Sequence, residues 1–165
     1  MLAIGIDPGT ATTGYGLVRE DEDGSLIVVG YGVITTPPDQ SMPKRLLELH
    51  ERLLELLLLH RPQGGAVEKL FFQRNVTTAI SVGQARGVAL LALAQAGVEA
   101  EEYTPMEIKQ AVAGYGGAGK AQVQQMVRAL LNLDDIPRPD DAADALAVAI
   151  CHLHSIQVRK LYNMG

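Results

Sequence analysis

The sequence predicts an α/β layer fold: a five-stranded mixed sheet with helices packed against it. Three observations carry this. Near the start, three β-rich runs follow one another with short turns between them, which makes a meander. Beyond them, two short apolar runs alternate with segments of helical periodicity, the pattern of strands joined by helices. Finally, 165 residues at 47% hydrophobic content suit one domain with a full core.

The first strand is the apolar run Leu2-Ala3-Ile4-Gly5-Ile6, which ends on Asp7 and turns at once through Pro8-Gly9-Thr10. A carboxylate beside so apolar a run costs several kcal/mol if it stays ionised and unpaired, so Asp7 is expected to have a partner. Residues 13–18 read as the second strand and 26–35 as the third, with Asp23-Gly24 in the turn between them; Pro37-Pro38 ends the meander. Ser41-Met42-Pro43 opens a long helix in which Leu46, Leu49, Leu53, Leu56 and Leu57 recur at helical spacing, and Arg61-Pro62 stops it.

Gly64-Gly65 leads into a short strand, Ala66-Val67-Glu68, the second to end on an acid. Phe71-Phe72-Gln73-Arg74-Asn75 reads as a loop whose two rings point to different sides if it is extended, with Phe72 the core residue. Residues 76–96 form a helix closed by Gly97 at its C′ position. Within it Gly83 and Gly87 share a face. Each costs about 1 kcal/mol against alanine, so close approach of another backbone should compensate, either the sheet's or a second subunit's.

Residues 98–103 are the fifth strand, 105–112 a short helix, 114–119 a glycine-rich flexible loop and 120–133 a further helix. Pro137-Arg138-Pro139 is a rigid connector into the last helix, residues 140–156. A single domain of residues 1–156 then leaves 157–165 as a flexible tail.

Without a basic leader or a run approaching about 20 apolar residues, the chain is expected to be cytoplasmic and to have no membrane partner. Its single cysteine, Cys151, excludes an intrachain disulfide and is expected to be a buried, inert thiol. The net charge of −5 argues on its face against a nucleic-acid partner, but its distribution is uneven. Residues 69–98 carry Lys69, Arg74 and Arg86 with no acid, and residues 108–133 carry Lys109, Lys120 and Arg128 with none. Two such segments either build a local positive face or are ordinary solvated helix surface.

Four acids stand out: Asp7 and Glu68 at strand ends, and Asp141 with Asp144 in the first turns of the last helix. The spacing of three puts Asp141 and Asp144 on one helical face, with Asp140 beside them in a position to cap the helix. Acids gathered without cations repel. Mg²⁺ prefers carboxylate oxygen, and paired ions roughly 3.5 to 4 Å apart drive phosphodiester hydrolysis. Spacing alone leaves other readings open: the helix acids complement the helix dipole, and Asp7 and Glu68 pair with lysines.

Six motifs occur in order from residue 5 to about 152: Gly5-Ile6-Asp7-Pro8-Gly9; Ala66-Val67-Glu68 followed by Phe71 and Asn75; Val82-Gly83-Gln84-Ala85-Arg86-Gly87; Ile108-Lys109-Gln110; Lys120-Ala121-Gln122-Val123; and Asp141-Ala142-Ala143-Asp144-Ala145-Leu146-Ala147. Together they resemble the RuvC-type Holliday junction resolvases. The resemblance implies a ribonuclease H-like fold whose first three strands are antiparallel. It also implies a homodimeric crossover junction endodeoxyribonuclease of recombination and repair. Such an enzyme cuts four-way DNA junctions by paired symmetric nicks that leave 5′-phosphate and 3′-hydroxyl ends, using Mg²⁺ or Mn²⁺, two ions per site.

Carried over by position, Asp7, Glu68, Asp141 and Asp144 would be the catalytic, metal-holding acids, with Asp141 rather than Asp140 set by the register of the resemblance. The ions would activate a water for in-line attack on phosphorus and steady the departing 3′ oxygen. Lys120 would neutralise charge at the phosphate, and Lys109 would contact the DNA backbone. Phe71 would stack on or wedge bases at the junction centre, with Arg74 and Asn75 on the same DNA-binding loop. Gly83 and Gly87 would lie in the dimer helix. A branch-migration helicase is a further partner that only the family suggests.

Lys69 departs from the family, many of whose members carry a polar or acidic residue there. The rival readings are an actin-like ATPase or sugar kinase, for which 165 residues leave no room for a second lobe, a ribonuclease H-like nuclease acting on RNA, and a non-catalytic junction-binding module.

Overall fold

The computed structural model describes residues 1–69 and 75–163. In chain order the elements are β1 (Leu2–Asp7), β2 (Thr12–Glu20), β3 (Leu26–Thr35), α1 (Met42–His60), β4 (Gly64–Glu68), α2 (Val76–Gln95), β5 (Ala100–Tyr103), α3 (Pro105–Ala113), α4 (Lys120–Leu130) and α5 (Asp140–Asn163). The strands form one sheet in the order β3-β2-β1-β4-β5. β1, β2 and β3 pair antiparallel, and β4 joins β1 and β5 in parallel. This is the expected mixed sheet.

Strand parity sorts the two faces. Ile4, Ile6, Leu17, Ile34 and Val67 point to one side, where Leu49, Leu53 and Leu57 of α1 and Ala85, Ala89, Ala92 and Leu93 of α2 close the core. Ala3, Val18 and Ala66 point to the other, under α5, α3 and α4. Because successive side chains alternate, Asp7 and Glu68 fall on the same side as Ala3 and Ala66, the side that α5 covers.

α5 packs against the sheet more closely than ordinary side chains would allow. A Cβ at Gly5 would lie 2.1 Å from the carbonyl oxygen of Ala145, and one at Gly14 would lie 2.0 Å from that of Asp141. Glycine on the sheet and alanine on the helix therefore set this spacing. The middle of α5 is buried on all sides, from Ala145 through Leu153. Cys151 lies in that stretch, and burial pushes its thiol up to about 11.

Several boundaries differ from expectation. α5 continues through Asn163 instead of fraying after residue 156: residues 157–163 contain no glycine or proline, Gln157 donates to Glu20, and Arg159 donates through Nη1 to Glu101 at 2.7 Å. Only its last turns are exposed, at Val158, Leu161 and Tyr162. α4 stops at Leu130, and Asn132 takes a left-handed φ of 50° just beyond it. α2 is long and apolar enough to cross a membrane by length and composition, which corrects the expectation that no segment approaches that length. Its Ala79, Ala85, Ala89, Ala92 and Leu93 are buried within the fold.

Candidate metal centre

Asp7 is the last residue of β1, one step past the end of the parallel pairing with β4, which stops at Ile6 opposite Val67. Glu68 ends β4 beside it. The first two turns of α5 bring Asp141 and Asp144 over both strands, and the missing Cβ of Gly14, paired with Asp7, lets the Asp141 backbone come down onto the sheet. Asp7, Asp141 and Asp144 each offer a carboxylate oxygen, and these three atoms lie within 4.8 Å of one another. Glu68 stands next to this trio at the end of the neighbouring strand, where its charge acts on the Asp7 carboxyl.

Burial, reinforced by Glu68, Asp144 and Asp141, pushes the Asp7 carboxyl up to about 8. Burial also raises Glu68, with Asp144 adding to it, and raises Asp144 against the opposing pull of Lys120. Charge is therefore in deficit at the centre of the group. All the donors are hard carboxylate oxygens, so the residues fit a divalent cation of the Mg²⁺ or Mn²⁺ type.

Pairing with lysine accounts for only part of the cluster. Lys120 Nζ lies 3.5 Å from Asp144 Oδ2 and 3.4 Å from Asp140 Oδ2. Asp140 is the first residue of α5 rather than a cap outside it, and the N–H groups of Ala142 and Ala143 reach the carbonyl of Pro139. Its carboxylate turns toward α4, where Oδ1 accepts from Arg138 Nη1 at 2.6 Å and from Gln124 Nε2 at 3.2 Å. Of the neighbouring pair, Asp141 belongs to the cluster and Asp140 holds Lys120.

A cleft of about 250 Å³ opens beside the acids, edged by Glu68, Asp144, Lys109 and Lys120 over Ile108 and Val123. Lys120 sits in the first turn of α4 after Gly119. Burial pulls its pKa down, but Asp144 and Asp140 outweigh that and hold it above its ordinary value.

The other expected site residues are dispersed. Asn75 caps α2, its Oδ1 accepting from Thr77 N–H at 3.1 Å and Thr78 N–H at 3.4 Å. Phe71 and Arg74 lie outside the described residues. Arg86 is bound to Glu102 across to β5, so the acid-free stretch around it does not supply a free cation at that point. Among the described residues nothing lies within 4 Å of a Cβ built on Gly87, and sheet packing is therefore not what compensates for it. Gly83, one turn earlier on α2, is half-buried.

Sequence reasoning passed over the glycines at 5 and 14 and the bracing of the β1–β2 loop by Thr13, Thr36 and Arg45. Glycine inside a strand was the available signal for the first. Bracing of the loop leaves no periodic trace.

The family described as crossover junction endodeoxyribonuclease RuvC matches residues 3–152. A relative of that description from Desulfitobacterium hafniense is 58% identical over 165 residues, covering 100% of this chain and 98% of the relative. Another, from Chloroflexus aurantiacus, is 59% identical over 165 residues, with 100% of both chains covered. Thermus thermophilus RuvC superposes with a TM-score of 0.90 at 40% identity over 96% of each chain. T. thermophilus RuvC in complex with Holliday junction substrate gives 0.88 at 37% identity, again over 96% of each chain. The yeast mitochondrial Holliday junction resolvase shares the fold, with a TM-score of 0.70 at 17% identity over 98% of this chain and 83% of that one.

Proposed function

Because the chain belongs to the RuvC family of crossover junction endodeoxyribonucleases, we infer that its clustered carboxylates are the metal-holding centre with which it resolves Holliday junctions. The enzyme is a nuclease of DNA recombination and repair with a ribonuclease H-like fold. The observation that carries the assignment of the centre is the convergence of Asp7, Asp141 and Asp144, with Asp7 held so far above the carboxylate range that a cation is its natural partner.

In this reading Asp7, Glu68, Asp141 and Asp144 hold two ions, Mg²⁺ or Mn²⁺. When bound, the ions supply the positive charge that readies a water for in-line attack on the scissile phosphorus and steadies the departing 3′ oxygen. Lys120, kept protonated by its acidic neighbours, faces the cleft and offsets charge at the phosphate as the bond breaks. Lys109, on the same cleft, contacts the backbone, Phe71 stacks on or wedges bases at the junction centre, and Arg74 and Asn75 are further DNA contacts.

A homodimer formed through α2 at Gly83 and Gly87 supplies two such centres for two symmetric nicks. The open face at Gly87, flanked by the exposed Ile80 and Leu91, supports it. A cytoplasmic location and a branch-migration helicase partner belong to this reading through the family.

The test is incubation of a synthetic four-way junction with Mg²⁺, beside linear duplex and RNA–DNA hybrid. Paired symmetric nicks with 5′-phosphate ends, confined to the junction, are expected. Preferential cutting of the hybrid would favour the ribonuclease reading, and junction binding without cutting would favour a silent binding module.

A further inference from the structure

We propose that Thr13 is a positioning residue for the metal centre: its buried hydroxyl fixes the Pro8-Gly9 turn and thereby holds the Asp7 carboxylate in the orientation that accepts a divalent cation. The proposal rests on the metal reading above. Asp7 sits where the sheet stops supporting its strand. Pairing with β4 ends at Ile6, and pairing with β2 ends at Asp7 itself, opposite Gly14. The next residue, Pro8, has no N–H with which to extend the ladder.

Thr13 replaces the missing ladder bonds. It is fully buried, and its Oγ1 donates to the carbonyl oxygen of Gly9 at 2.6 Å while accepting from the Gly9 N–H at 3.2 Å. One hydroxyl thus satisfies both polar groups of the residue two positions after Asp7. The turn is already closed tightly on β2, since a Cβ at Gly9 would lie 2.4 Å from the Thr12 carbonyl oxygen.

The outer half of the loop is braced from a different direction. Thr36 donates through its hydroxyl to the Thr10 carbonyl and through its N–H to that of Ala11 at 3.2 Å, while Arg45 Nε of α1 donates to Thr36 Oγ1 at 2.9 Å. Thr13 is the brace nearest Asp7.

The reason for such a brace lies in the charge of the site. Asp7 is pressed by three other acids, and once it gives up its proton to serve as a ligand, repulsion drives its carboxylate away from them. Holding the Gly9 backbone of the turn that follows it keeps the ligand oxygens gathered before the ion arrives, so less ordering is needed when it binds. A purely structural hydroxyl would affect melting and leave cation affinity in the folded protein unchanged.

The experiment compares Thr13→Ser, which keeps the oxygen, with Thr13→Ala, which differs from it only by that oxygen, both in the full chain. Mn²⁺ binding is read by electron paramagnetic resonance, junction binding is read without metal, and the Mg²⁺ dependence of cleavage is read separately. Thr13→Ser should stay within about twofold of wild type. Thr13→Ala should bind Mn²⁺ about tenfold more weakly and need correspondingly more Mg²⁺ for half-maximal cutting, a loss of the size expected when a ligand is misplaced by a fraction of an ångström, with junction binding unchanged.

Equal Mn²⁺ affinity in the two variants would overturn the proposal, whatever their melting temperatures. If Thr13→Ala does not fold, Thr13→Val, which keeps the volume and removes the hydroxyl, takes its place against Thr13→Ser. A wild-type chain that neither binds Mn²⁺ nor cuts the junction would overturn the metal centre itself, and the role of Thr13 with it.

Discussion

Asp7 is where the demands of folding and of chemistry oppose each other. Its carboxyl is raised to about 8 in the folded chain, while in the unfolded chain it ionises in the ordinary carboxylate range. Between those two values the folded state keeps a proton that the unfolded state has released, so this group's contribution to stability is present at low pH and is lost as pH rises toward about 8. Glu68 and Asp144 are shifted in the same direction and add to the loss. Two predictions belong here. The metal-free protein should melt at a lower temperature at pH 8 than at pH 6, and Mg²⁺ should raise the melting temperature more at pH 8, which a thermal scan at the two pH values checks. Asp7→Asn should flatten that pH dependence, stabilise the metal-free protein at pH 8 by on the order of 1 to 3 kcal/mol, keep junction binding and abolish cleavage; cutting at the wild-type rate would remove Asp7 from the centre. On the DNA side, Lys109→Ala should weaken junction binding and reduce its salt slope by about one phosphate contact, measured as affinity against salt concentration.

Among the elements, the contact between α5 and the glycines of β1 and β2 decides whether the acids meet. A Cβ at Gly14 would meet the Asp141 carbonyl oxygen at 2.0 Å, so the first turn of α5 must move to accommodate it. Gly14→Ala is therefore expected to cost about 1 to 3 kcal/mol in denaturant melts, as overpacking does, and to lower Mg²⁺-dependent cleavage by about a hundredfold, as an ångström-scale displacement of a catalytic group does. Full activity would show that the helix can retreat without carrying Asp141 and Asp144 with it. Much of this level was legible from the sequence. Both strand ends were marked by their acids, and spacing of three puts Asp141 and Asp144 together because helix geometry alone dictates it, whereas the shared face of Asp7 and Glu68 depends on the register of β1 against β4. The role of Asp140 was not legible: the capping preference of aspartate is a local rule, whereas its contacts with Lys120, Gln124 and Arg138 depend on how α4 lies against α5. The length of α5 was misjudged for the same reason, since Glu20 and Glu101, which anchor its continuation, are distant in sequence.

For the whole molecule, the open face of α2 carries the prediction about assembly. Gly87→Leu should convert a dimer to monomers in sedimentation, and paired nicking of one junction should be lost with it; an intact dimer would move the interface elsewhere. The mixed character of the sheet was legible because hairpin turns and crossover helices leave distinct marks in the chain, but its strand order was not, and packing at Gly87 was left open between sheet and partner, as sequence cannot show which side of a helix is empty. The helix that bears Asp141 and Asp144 also runs across the sheet and under α3 and α4, buried on all sides from Ala145 to Leu153. Half of the cluster is thus carried at the start of a helix whose continuation is fully buried, the kind of segment expected to open last. Amide protons along this stretch should exchange with solvent only through global unfolding, while those at the exposed end around Leu161 exchange by local fraying. A partly opened form that stays folded yet has lost Asp141 and Asp144 is therefore not expected, and heat inactivation should track loss of the whole fold in a single step.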